Sequence, residues 1–106
     1  MTTSSETPVL DTLAAMTLDS IERCGLPADM LILTRIAALV AMDAPPMSYL
    51  AHLDPAVEAD VTASQLQDVL VAIAPIVGTA RVMSAATHIT EALGVVIAVA
   101  ETELGG

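Results

Sequence analysis

The stretch Asp43–His52, D-A-P-P-M-S-Y-L-A-H, decides how the chain divides into elements. It holds the only aromatic residue, Tyr49, one of the two histidines, His52, and the adjacent prolines Pro45 and Pro46. Proline disfavours helical backbone in the residue before it but suits a first helical turn, so the pair closes one helix and opens the next. A helix restarting near Pro46 carries Ser48 and His52 four residues apart on one face, within reach of a hydrogen bond. Polar chemistry concentrates here, between flanks that read as apolar helix.

Upstream, the pattern predicts a helix from Ala28 to Met42, with Pro27 and Asp29 at its entrance. Its only charge between Asp29 and Asp43 is Arg35, set among Leu31, Ile32, Ala38, Leu39 and Met42. A helix apolar on all sides is expected to be buried on all sides. Arg35 must then find a carboxylate or stretch to water, or else serve as an anion-binding group in a pocket. Before it, Thr7-Pro8 opens a first helix with the stripe Leu10, Leu13, Ala14, Leu18 and Ile21, closed at Gly25. Residues 1–6 read as a polar tail.

Downstream, a short helix spans Met47 to Leu53, and Asp54-Pro55 caps it and restarts a turn through Ala59. Thr62 opens the next helix with a capping box, T-A-S-Q, in which Gln65 returns to the Thr62 amide. Leu66, Val69, Leu70, Ile73, Ile76 and Val77 recur at helical spacing, and the polar face fades along the segment, so this helix should run inward. Pro75 should loosen its last turn and Gly78 end it. Thr79 caps a final segment whose seam is Val82, Ala86, Ile89, Leu93, Val96 and Ala100. One helix from Ala80 to Glu103 is the preferred reading, with a break at Gly94 as the alternative. The run Val95–Ala100 reads as a subunit contact. His88 falls opposite the seam beside Ser84 and Glu91, as a surface pair with Glu91.

A chain of 106 residues makes one domain, 1–106, all-α on this pattern. It is 55% apolar without Phe or Trp, so its core must come from Ala, Val, Leu, Ile and six Met. A domain this small leaves roughly a third of its chain surface in water. This much apolar surface therefore predicts burial between subunits. No apolar run approaches the ~20 residues of a membrane span, and the N-terminus lacks the pattern of a signal peptide, which together predict a soluble, cytoplasmic protein. A net charge of −10, with three Arg and no Lys, opposes binding to nucleic acid or anionic membranes. The single Cys24 excludes an internal disulfide or a C-x-x-C pair, and reads as a small apolar side chain.

The order of elements resembles the carboxymuconolactone decarboxylase-like superfamily, which includes the AhpD alkylhydroperoxidases. The resemblance covers about Leu31 to Leu93. It is carried by R-I-A-A-L-V-A-M-D-A-P-P-M-S-Y-L-A-H and D-V-L-V-A-I-A-P-I-V-G-T-A-R-V-M-S-A-A. It implies an AhpD-like orthogonal helical bundle of five to six helices, assembled as a homo-oligomer, a trimer or a hexamer. Peroxidase members carry C-x-x-C with a histidine beyond it. Here the pattern is Pro45-x-x-Ser48-x-x-x-His52, and neither proline nor serine can cycle through a disulfide, so thiol-based peroxide reduction is excluded. Decarboxylase members use a histidine in the corresponding helix with acidic or polar neighbours. His52 matches, whereas Ser48 and Tyr49 stand where an acidic neighbour would. The family's G-x-P-R becomes Gly78-Thr79-Ala80-Arg81, without the proline.

Decarboxylation or isomerisation of a small carboxylate or lactone needs a proton donor working near neutral pH and a cationic clamp. His52 is the candidate acid/base, with Ser48 beside it and Tyr49 as a hydrogen-bond donor. Arg35 and Arg81 are the candidate clamps. No third carboxylate is placed by spacing, so Ser48 and His52 do not form a triad. No metal-ligand spacing accompanies the two histidines, and no cofactor is implied. A non-catalytic helical homo-oligomer serving as a scaffold or partner-binding module is the alternative. A redox carrier through Cys24 is the third reading.

Overall fold

The computed structural model of the chain describes residues 6–105, with side chains up to Gly94. It contains five helices, α1 (Pro8–Arg23), α2 (Ala28–Ala41), α3 (Pro46–Glu58), α4 (Ala63–Val77) and α5 (Thr79–Gly105), and no strand among the described residues. Helices α2, α3, α4 and α5 form the packed body, with the α3–α5 and α2–α4 contacts the most extensive. The core is Ile32, Ile36 and Val40 from α2, Tyr49, Leu53 and Ala56 from α3, Ala85, Ile89 and Ala92 from α5, and Ala44 from the turn between α2 and α3.

Two turns share one solution. Asp43 (φ 53°) and Asp60 (φ 60°) both adopt the left-handed conformation just past a helix end. After α2, the amides of Asp43 and Ala44 return to the carbonyls of Val40 and Leu39. After α3, those of Asp60 and Val61 return to Val57 and Ala56. Each is a Schellman closure with aspartate in the position that glycine usually fills. The chain then leaves α2 directly into Pro45-Pro46, and α3 starts with Pro46 in its first turn, as the double proline requires. The capping box of α4 forms as expected: the Gln65 amide donates to Thr62 Oγ1 and the Thr62 amide to Gln65 Oε1.

Several expectations are corrected. Helix α3 does not stop at Leu53; it runs through Pro55 to Glu58. Proline removes only the bond to the carbonyl four residues back, here Ala51, which is exposed to water, while Leu53 and Ala56 on either side are buried and hold the helix to the core. Helix α1 ends at Arg23 on an extended Cys24 rather than at Gly25. Thr79 is the first residue of α5 rather than its cap, and Gly78 (φ 89°) makes the corner. Helix α5 continues through Gly94 as a single helix.

Burial departs furthest. Helix α2 buries one face only, and Met30, Thr34 and Ala38 are exposed. Helix α4 does not run inward: none of its residues is fully buried, and Val71 and Ile76 lie open, Ile76 at 86% exposure. In α5 the buried ridge is Ala85, Ile89 and Ala92, turned about one residue from the anticipated seam, so Ala86 and Leu93 are exposed. Small residues win this face because they let α5 lie close against α3. The run Val95–Ala100 lies outside the residues whose side chains are described. Among the described residues, no helix is long and apolar enough to cross a membrane.

Candidate functional site

Two polar groupings flank α3, one facing α2 and one facing α5. The first contains His52. Ala28, Leu31 and Ile32 share a cleft with Pro55, Glu58 and Ala59, so the start of α2 lies beside the end of α3 and the two helices run antiparallel. One turn along each helix from that cleft come Arg35 on α2 and His52 on α3, both half-buried. Ser48, Pro55 and Ala59 continue the His52 ridge at helical spacing, and Leu31 and Leu39 continue the Arg35 ridge. The imidazole and the guanidinium therefore sit on facing ridges of one helical hairpin. No hydrogen bond joins them among the described residues.

The Ser48–His52 bond anticipated from their spacing exists, but through the backbone: His52 Nδ1 lies 2.8 Å from the Ser48 carbonyl oxygen. A carbonyl oxygen only accepts, so Nδ1 carries the proton and the neutral ring presents its Nε2 lone pair. The serine hydroxyl does not orient the ring.

The second grouping was not expected. From α5, Arg81, Ser84 and His88 reach the turn between α2 and α3. The Arg81 guanidinium donates to the Ala41 carbonyl, Ser84 Oγ donates to Asp43 Oδ1 at 2.7 Å, and His88 Nδ1 donates to the Ala44 carbonyl at 2.9 Å. Tyr49 lies beneath, 1% exposed, its ring 6.4 Å from that of His88 and tilted by 47°. Its hydroxyl is sealed from water and has no hydrogen-bond partner among the described residues. Burial, and then the Asp43 carboxylate, raise the phenol above its ordinary pKa of 10.0, which keeps it protonated.

The structure thus brings His52 and Arg35 to one hairpin groove. It places Arg81 at the C-terminal end of α2, where a cation satisfies end carbonyls and opposes the helix dipole. It turns Tyr49 into the core, on the α5 side of its helix. His88 was expected at the surface beside Glu91 and is instead half-buried at the turn. The signal that could have found it is the spacing of Arg81, Ser84 and His88, a polar stripe on an otherwise apolar helix. Cys24 is half-buried, and its sulfur accepts from the Leu26 amide at 3.4 Å. Among the described residues, no cluster of His, Cys, Asp or Glu is suited to a metal ion.

With this geometry in place, the model of the carboxymuconolactone decarboxylase family matches residues 8–92, from the start of α1 into α5. The chain belongs to that family. No curated protein and no solved structure matches it. The family match spans both α3 groupings, and the all-helical architecture is compatible with the AhpD-like fold.

Proposed function

We propose that this family member acts on a small carboxylate or lactone, as a decarboxylase or isomerase, with His52 as its acid/base and Arg35 as its carboxylate clamp. The observation that carries the reading is the His52 tautomer: Nδ1 is committed to the Ser48 carbonyl, which leaves Nε2 to exchange a proton with substrate. Neutral Nε2 removes a proton, and the imidazolium then returns it to the carbon that gains electron density as the substrate rearranges or loses carbon dioxide. Arg35 stands on the facing ridge without an internal carboxylate to neutralise it, which leaves its donors for an anionic substrate. Arg81, Ser48 and Tyr49 support the site by position. Arg81 holds the turn that starts α3, the Ser48 carbonyl orients the imidazole, and Tyr49 anchors α3 in the core. No thiol chemistry enters, because Pro45 and Ser48 stand where the redox pair would be.

The test is turnover of a panel of lactones and small carboxylic acids by wild type, His52→Gln and Arg35→Gln. Loss of an acid/base group costs about 10²–10⁴ in rate, so His52→Gln should cut kcat/KM by at least about a hundredfold, whereas Arg35→Gln should act mainly through KM. Unchanged turnover in His52→Gln removes the histidine from the chemistry. The bare apolar stripe of α1 favours the second reading, a non-catalytic homo-oligomer, which a folded and assembled but wholly inactive wild type would support.

A further inference from the structure

Helix α1 is amphipathic and has nothing to lie on. None of its residues is buried, and it forms no packed interface with another helix of its own chain. Leu10, Leu13, Met16, Leu18 and Ile21 are all among the exposed large hydrophobics. The molecule is extended to match: its radius of gyration is 15.6 Å, against about 13 Å for a compact chain of this length. An isolated helix of this size is marginal in water without a packed face, so α1 requires a surface to cover.

That surface is present elsewhere in the chain. Between α4 and α5 runs a cleft of about 190 Å³ lined by Leu66, Leu70, Ala86, Ile89 and Leu93, with Gln67 and Thr90 at its rim. It carries no charge. The polar side of α1 is charged, with Asp11, Asp19, Glu22 and Arg23, so its apolar side can seat in this cleft without burying an ion. Its own α1 is held elsewhere. Ile21, in its last turns, already borders the cleft formed by the start of α2 and the end of α3, and only Cys24–Pro27 separates the two helices.

We propose that α1 of one chain docks its Leu10–Leu13–Ile21 stripe into the α4–α5 groove of a second copy, so that the protein assembles by donation of this arm. A helical stripe and a helix-wide uncharged groove, each bare in its own chain, then cover one another. Assembly brings together copies that each carry a net charge of −10, so raising the salt concentration strengthens it by screening. The proposal does not rest on chemistry at His52, and His52→Gln should assemble as wild type does.

The test is sedimentation velocity on the full chain with Leu13→Asp, which charges the donor stripe, and Thr90→Glu, an exposed rim position that charges the acceptor groove. Wild type should be oligomeric, and each variant should weaken assembly by at least tenfold while the body keeps its helical circular dichroism. As a direct check, Leu13→Cys with Gln67→Cys, on a Cys24→Ser background, should cross-link between chains on oxidation. A monomeric wild type, undiminished assembly in both charged variants, or a cross-link confined within single chains would each overturn it.

Discussion

Replacing Tyr49 by Phe removes one buried oxygen and nothing else. The hydroxyl sits in a core position at 1% exposure, with no donor or acceptor facing it. An unsatisfied buried polar group costs about 1–3 kcal/mol. Phenylalanine keeps the ring and its tilted contact with His88, so Tyr49→Phe should stabilise the fold by about 1 kcal/mol. For a domain of this size that is a rise in Tm of about 4–8 °C. A second readout follows from the raised pKa. The folded phenol resists ionisation while the unfolded phenol ionises near its ordinary value of 10.0. Below that pH the two states bind equal numbers of protons and stability is flat. Above it the unfolded state has lost a proton that the folded state keeps, so stability falls as pH rises, by up to ~1.4 kcal/mol per pH unit, until the folded phenol ionises too. Because Tyr49 is the only tyrosine, ultraviolet difference absorbance reports its titration alone, and urea melts at several alkaline pH values give the stability. Tyr49→Phe should abolish this tyrosine-linked loss. If the variant is instead destabilised by 1 kcal/mol or more, the hydroxyl has a partner and the account of this core is wrong.

Three further substitutions test the turns and the cap. Asp60→Gly relieves a left-handed aspartate in an exposed Schellman turn and should stabilise by about 0.5–1 kcal/mol in chemical denaturation. Asp43→Gly relieves the same strain but strands the Ser84 hydroxyl, so in the same melts its gain should be smaller than that of Asp60→Gly or absent; an equal gain would show that the Ser84 bond contributes nothing. Thr62→Ala breaks the capping box of α4 and should cost about 1 kcal/mol.

Local signals placed the helices because each depends on a few adjacent residues. The Pro45-Pro46 pair closes α2 and opens α3, Thr62 and Gln65 start α4, and Gly78 turns the chain into α5. The motif order around His52 was likewise enough to reach the family. The sequence also placed Ser48 within a turn of His52, though not that the bond would use the carbonyl rather than the hydroxyl. Pro55 misled because a proline costs one hydrogen bond wherever it falls, and only packing shows that Leu53 and Ala56 outweigh it.

What belongs to the sequence alone is therefore the number, limits and order of the helices, the want of a redox cysteine pair, and an apolar content too large for one small chain. What only the tertiary structure decided is which face of each helix turns inward. In α2, α4 and α5 apolar residues occupy most of the circumference, so periodicity offers several nearly equivalent faces. The choice falls to close approach, Ala85 and Ala92 of α5 against α3, and that rotation carries His88 to the turn, leaves Ile76 in the open, and sets Arg35 across from His52.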